Sequence, residues 1–253
     1  MRTTPFRTAP PATPPTREAL LHAAGEVFAE VGFQAATVRA ICRRAGANVA
    51  AVNYHFGDKE RLYLEVLRHA QTETSRRLPF DLGVPARATP EQRLRAFVRS
   101  LLTRLLEPGP HAWLGKLMSR EMLEPTHGLD QMVREHIRPM ADQLRAIVRA
   151  FLGPDRDEQT VRLYGFSIVS QCLFYHHCRS VICRLFPDLR VAPEIIEPLT
   201  DHITRCSLAA LKDVARPRSP ASRPRSPSPR HRNGRTRATP PRSPARQHSV
   251  KPS

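Results

Sequence analysis

The stretch that decides the fold reads Thr37-Val38-Arg39-Ala40-Ile41-Cys42-Arg43-Arg44-Ala45-Gly46-Ala47-Asn48-Val49-Ala50-Ala51-Val52-Asn53-Tyr54-His55-Phe56. Thr37 is a helix-capping residue, and Val38, Ile41, Cys42 and Ala45 repeat at helical spacing behind it. Gly46 suits the left-handed backbone that a tight turn requires, and Asn48 caps a second short helix ending near Phe56. Two short helices joined this way have the build of a helix-turn-helix. The second is small and nearly uncharged on its leading turn, so its backbone can approach base edges in a major groove about 12 Å wide. Asn53 has the donor and acceptor to pair bidentately with adenine, and Val49 and Ala50 offer methyl groups to thymine. Arg39, Arg43, Arg44, Lys59 and Arg61 flank that neutral surface, against only Asp58 and Glu60, a pattern suited to phosphate contacts.

Outward from this stretch the apolar period stays helical. Leu20, Ala24, Val27, Phe28 and Val31 lie on one face of a preceding helix that Thr16 can cap and Gly32 stops. Asp58 caps a fourth helix carrying Leu62, Tyr63, Val66, Leu67 and Ala70. After Pro79, Pro85 and Pro90 comes a helix with Leu94, Phe97, Val98, Leu101, Leu102 and Leu105 on one stripe, ended by Pro108-Gly109-Pro110. Residues 113–123 read as a helix, 129–152 as one helix bent at Pro139, 160–184 as one long apolar helix, and 193–214 as the last, with Pro198 near its first turn. No segment alternates with period two, so the expected fold is all-α. A helix-turn-helix domain over residues 17–70 is followed by a larger helical domain over 71–214, with disordered ends at 1–16 and 215–253.

Composition narrows the function. The chain of 253 residues carries a net charge of +17, yet ten Arg and Lys251 lie in the last 38 residues without a single acid. The folded part is only mildly basic, so its basicity matters by position. The terminal segment, rich in Arg, Pro and Ser with Arg-Ser-Pro at 218–220, 225–227 and 242–244, has too little apolar area to fold. Its charge would add sequence-independent attraction to DNA. No run of about 18 apolar residues exists and no secretory signal follows Arg2, so membrane and secreted classes are set aside. Five Cys without paired spacing suit a reducing cytoplasm. Enzymatic templates fail as well: no phosphate-cradling Gly-rich loop, no Gly-x-Ser-x-Gly elbow, no His-Glu-x-x-His helix. No cofactor and no metal are expected. Cys172 and His176 stand one turn apart, but no third ligand has a fixed spacing, and packing is the expectation for both.

The run Thr37 to Gly46, followed by Tyr54-His55-Phe56-Gly57-Asp58-Lys59-Glu60-Arg61-Leu62, resembles the DNA-binding domain of TetR-type regulators, with the Tyr-His-Phe-x-x-Lys element its most diagnostic part. The segment from Asn48 to Phe56, Arg120-Glu121-Met122-Leu123-Glu124-Pro125-Thr126 and Ser170-Gln171-Cys172-Leu173-Phe174-Tyr175 are similar to the CecR-like branch of that family. The resemblance implies phosphate contacts from Thr37, Tyr54, His55 and Lys59, and base reading from residues 48–53, with Phe56 a packing position. To these the flanking charge adds Arg39. The expected DNA-contact set is thus Thr37, Arg39, Asn48, Val49, Ala50, Asn53, Tyr54, His55 and Lys59.

The C-terminal helices are expected to sense and to dimerise. Helix 160–184 is apolar around most of its circumference, which argues for burial. With the last helix (Ile195, Ile196, Leu199, Ile203, Leu208, Leu211) it either pairs across a two-fold axis as a four-helix bundle, as the resemblance implies, or fills a monomer core. Expected walls of an effector pocket are Trp113, Met118, Glu121, Met122, Phe151, Phe166 and Gln171, with Glu121 and Gln171 the polar members of apolar runs. The expected function is a sequence-specific transcriptional regulator, a cytoplasmic homodimeric repressor that binds a palindromic operator in double-stranded DNA. A small-molecule effector would release it. The alternative is a general nucleic-acid-binding or nucleoid-associated protein, driven by the basic tail and lacking an effector.

Overall fold

The computed structural model describes residues 17–107, 109 and 111–216. The expected N-terminal arm, the Thr16 cap, Pro108, Pro110 and the basic tail from residue 217 therefore lie outside the described residues, while Ala215, expected in that tail, closes the last helix. Among those described there is no strand. The helices are α1 (Arg17–Ala35), α2 (Val38–Ala45), α3 (Val49–Phe56), α4 (Lys59–Arg77), α5 (Pro90–Leu106), α6 (Trp113–Leu123), α7 (His127–Met132), α8 (Arg138–Leu152), α9 (Glu158–His177), α10 (Arg179–Leu185) and α11 (Ile196–Ala215). The protein is an all-α fold with an N-terminal helix-turn-helix and a larger helical C-terminal part.

Local chemistry sets the boundaries. Thr37 Oγ1 accepts from Ala40 N, Asn48 Oδ1 from Ala50 N and Ala51 N, and Asp58 Oδ1 from Arg61 N, so α2, α3 and α4 each begin on the cap read from sequence. Thr89 and Gln92 form a reciprocal capping box at the start of α5. The chain leaves helical geometry at Gly32 (φ 81°) before a last half-turn to Ala35.

Three expectations are corrected. Residues 129–152 are not one bent helix: α7 is followed by a widened turn in which Arg138 N–H bonds to Val133 O, and α8 then starts with Pro139 in its first turn. Proline has no N–H to give and crowds the carbonyl four residues back, so the chain restarts its helix around it. Residues 160–184 break at Cys178, whose carbonyl accepts from both Val181 N and Ile182 N as α10 begins. Helix α9 is also not buried all round. Val161, Ile168 and Cys172 face inward, while Leu163, Phe166 and Phe174 stand in solvent, Phe166 at 68% exposure.

Two cores result. One gathers Leu20, Phe28, Ile41, Val52, Phe56 and Leu62 from α1–α4, and also takes Leu117 of α6 and Met132 of α7. The other is built from α5, α8, α9 and α11, with Phe97, Leu102, Val148 and Ile203 at its centre. The apolar residues of the last helix go here: Ile196, Leu199, Ile203 and Leu211 are buried within the protomer, with Ile195 and Leu208 packed against them. The opposite face of that helix, with His202, Cys206 and Ala210, is exposed. Helices α6 and α7 follow α5 in the chain but pack with α1 and α4, and two glycines permit that approach. A Cβ on Gly25 would lie 2.2 Å from the Trp113 ring, and one on Gly128 would lie 2.6 Å from Leu67 and 2.9 Å from Tyr63.

Candidate nucleic-acid interface

Helices α2 and α3 are joined by a turn that Gly46 (φ 64°, ψ 30°) makes possible, with Ala47 N donating to Cys42 O at 2.8 Å. Cys42, Ile41, Val52 and Phe56 are buried, which fixes which way α3 points. Its opposite face is left in solvent: Val49, Ala50, Asn53, Tyr54 and His55 are all exposed, Tyr54 at 85%. An aromatic ring is seldom left this bare, and its hydroxyl stands free to donate. Thr37 and Arg39 are exposed on the neighbouring helix, and neither Arg39 nor Arg43 makes an ion pair among the described residues. The surface is thus a small, neutral ridge beside unengaged cations. Eight of the nine residues read from sequence lie on it.

Two members of that set serve the fold. Asn48 is exposed, but its Oδ1 is committed to the α3 cap, leaving only its amide nitrogen for a partner. Lys59 lies off the ridge. Its ammonium donates to Phe33 O (3.0 Å), Gln34 O (3.3 Å) and Ala36 O (3.1 Å) and lies 4.5 Å from the centre of the Phe33 ring. An ammonium has three protons, and all three are used here. Lys59 closes the carbonyl end of α1, which has no basic residue of its own in its last turn. That missing cation is the signal in the sequence that pointed to a donor from elsewhere. Arg44 is likewise occupied, held bidentately by Glu30 at 2.7 and 2.8 Å. The ion pair holds the Glu30 carboxyl below its usual range.

The seven residues read as effector-pocket walls are not brought together. Trp113 and Met118 pack against the N-terminal core, Phe151 packs against the C-terminal one, and Met122 and Phe166 are exposed. Gln171 spends its amide on Ser167 O at 3.1 Å, within its own helix. Glu121 is 2% exposed and accepts hydrogen bonds from the Tyr63 hydroxyl, Thr126 Oγ1 (2.8 Å) and Thr126 N (3.1 Å). Burial, then the neighbouring carboxylate, pushes the Tyr63 phenol above its usual range. Helical spacing shows that a residue faces inward, not which neighbour it meets. Cys172 is buried, and desolvation pushes its thiol up to about 12, while His176 Nδ1 meets Leu105 O at 2.9 Å. Both belong to packing. No helix among the described residues is long and apolar enough to cross a membrane.

Comparison with known proteins accords with this geometry. The family model described as bacterial regulatory proteins, tetR family, matches residues 20–66, and that of the C-terminal domain of the HTH-type transcriptional dual regulator CecR matches residues 90–211. The CecR dual regulator of Shigella flexneri is 29% identical over 169 residues, covering 63% of this chain and 74% of that protein. The HTH-type transcriptional repressor AcnR of Corynebacterium diphtheriae is 31% identical over 145 residues, covering 56% of this chain and 69% of that one. A crystal structure of a putative transcriptional regulator from Pseudomonas aeruginosa PAO1 superposes with a TM-score of 0.58 at 22% identity, over 78% of this chain and 90% of that one. These relatives are named as regulators of transcription, not as enzymes. The chain belongs to the TetR family of bacterial transcriptional regulators and carries a C-terminal domain of the CecR type.

Proposed function

We propose that the protein is a homodimeric repressor that works in the cytoplasm, reads a palindromic operator through two copies of α3, and leaves it when a small molecule binds. The observation that carries the DNA-reading part is the exposed ridge of α3: Val49, Ala50, Asn53 and Tyr54 stand in solvent while Val52 and Phe56 anchor the helix from below. In this reading Asn53 reads a base, with Val49 and Ala50 against thymine methyls. Thr37, Arg39, Tyr54, His55 and the Asn48 amide nitrogen position the phosphates. Lys59 orients the unit from behind.

The second copy is supported by α9. Leu163, Phe166 and Phe174, continued by Val181 of α10, form an apolar stripe on the outside of the protomer. A stripe of this kind lowers its free energy by meeting another apolar surface, and a two-fold axis supplies an identical one. Two recognition helices about 34–36 Å apart then meet successive major grooves. An effector that favours a different spacing weakens operator binding, and by linkage the operator weakens effector binding by the same factor.

A footprint on the DNA upstream of the protein's own gene, followed by a gel-shift salt series, tests the reading. A two-fold symmetric footprint, with the operator preferred about a thousandfold over scrambled DNA, is expected. A preference of only a few-fold would remove the assignment of α3 as a reading helix.

A further inference from the structure

Helix α11 has two unlike faces. Ile196, Leu199, Ile203 and Leu211 are buried in the C-terminal core. The exposed face carries His202, Cys206, Ala209 and Ala210. Two of these side chains are metal ligands by their chemistry. They stand one helical turn apart, and His202 Nε2 lies 3.9 Å from Cys206 Sγ.

That separation can be weighed against what a metal demands. Zinc holds an imidazole nitrogen at about 2.0–2.1 Å and a thiolate sulfur at about 2.3 Å, at tetrahedral angles, which sets the two ligand atoms about 3.6 Å apart. The 3.9 Å between Nε2 and Sγ exceeds this by about 0.3 Å, which a small turn of either side chain removes. Neither residue is spent on the core. Cys172 and His176 have the same spacing, yet Cys172 is wholly buried and His176 Nδ1 meets Leu105 O.

Two ligands do not close a site. Among the described residues of one protomer, no group of three or more His, Cys, Asp and Glu is placed to hold a metal. A two-fold axis beside α11 supplies the missing pair, because an isologous contact sets a patch against its own copy. The set is then two Cys and two His, the tetrahedral sulfur and nitrogen combination that suits zinc and not magnesium or calcium. The surface permits the approach, since Ala209 and Ala210, on the turn after Cys206, add only methyl groups to it. Charge balances as well. Each thiol gives one proton to solvent, the two thiolates neutralise Zn²⁺, and the imidazoles bind uncharged. Helix α11 also packs on α9, whose outward stripe is the surface proposed above for the second copy.

We propose that His202 and Cys206 from two copies form an intersubunit zinc site, one Zn²⁺ per dimer, that fastens α11 to its counterpart. The proposal rests on the homodimer put forward above and on nothing about how DNA is read. A metal that binds only the dimer favours the dimer, so assembly follows the supply of Zn²⁺.

The test uses the full-length protein, reduced and stripped of metal by a chelator, then titrated with Co²⁺ as a coloured stand-in for Zn²⁺. Tetrahedral cobalt bound to thiolate absorbs strongly in the visible and gives a sulfur-to-cobalt band in the near ultraviolet. Both bands are expected to saturate at one Co²⁺ per two chains and to bleach on addition of Zn²⁺. Cys206→Ser and His202→Gln, both at solvent-exposed positions, are each expected to lose that saturation. Cys206→Ser also loses the sulfur band. In sedimentation, Zn²⁺ is expected to tighten the unaltered dimer about tenfold or more and to leave Cys206→Ser unmoved. Saturation at one Co²⁺ per chain, or bands that survive in Cys206→Ser, overturns the site. A dimer that takes up no Co²⁺ overturns it too and leaves the homodimer standing. A chain that stays monomeric with and without Zn²⁺ removes the homodimer itself, and the site with it.

Discussion

Helices α3 and α9 both hold side chains in solvent that their composition would send inside, and the two differ in what surrounds those side chains. Around α3 the exposed ridge is neutral, with Arg39 and Arg43 unengaged beside it. Along α9 the exposed residues are large and apolar. Exposure alone therefore does not name a partner. A neutral ridge between cations fits a polyanion with readable edges, whereas a bare apolar stripe fits another apolar stripe. A second contrast lies in two tyrosines nine residues apart. Tyr54 stands in solvent with the His55 ring edge-on at 5.0 Å, and Tyr63 is buried against Phe28 at a ring separation of 4.8 Å with its hydroxyl on Glu121.

The largest expected effect comes from breaking the α9 stripe. Phe166→Asp should yield a monomer in sedimentation and weaken operator binding about a hundredfold or more, because the second half-site no longer adds to the first. A dimer that persists would show that copies meet elsewhere. On the other side of the comparison, Asn53→Ala should cost about 1–3 kcal/mol of operator binding and relax the base preference at one position per half-site, read by a gel shift on a substituted operator panel. Equal affinity for every base with the unaltered protein would remove Asn53 from the reading surface.

Smaller changes sharpen the division between residues that touch DNA and residues that shape the unit. Gly25→Ala should lower stability by about 1–3 kcal/mol in urea unfolding, since the new methyl meets the Trp113 ring at 2.2 Å. Lys59→Met should cost about 1–2 kcal/mol of stability and leave the salt slope of DNA binding unchanged, whereas Arg39→Gln should leave stability alone and reduce that slope by about 1. A salt slope that falls with Lys59→Met would return that residue to the phosphates.

The slightest effect is on pH. Desolvation, first among the causes, holds the imidazoles of His111, His136 and His176 below their ordinary range. The unfolded chain then takes up protons that the folded chain refuses, so stability is full above the unfolded value near 6.5 and declines as pH falls below it. The urea midpoint should accordingly be lower at pH 5.5 than at 7.5. An unchanged or higher midpoint at 5.5 would contradict the sign.

Much of this was legible in the chain before folding. The caps at Thr37, Asn48 and Asp58, the turn at Gly46 and the anchoring of Val52 and Phe56 are local matters, decided within four residues by hydrogen-bond geometry and apolar period. Those local rules also leave Val49, Ala50, Asn53 and Tyr54 outward, because a helix anchored on one face must present the other. What the linear order could not convey is which distant atom each polar group meets. Lys59 has the same neighbours in sequence whether its ammonium seeks phosphate or the carbonyls of α1, some 23 to 26 residues away. Nothing near Glu121 in the chain announces Tyr63, 58 residues earlier, as the donor to its carboxylate. The same holds for Ile203 and Phe166, both apolar and both at helical spacing, one turned into the protomer's core and the other left in solvent. Periodicity fixes a side chain's face within its helix, but only the packing of helix on helix decides whether that face meets the interior, a second copy or DNA.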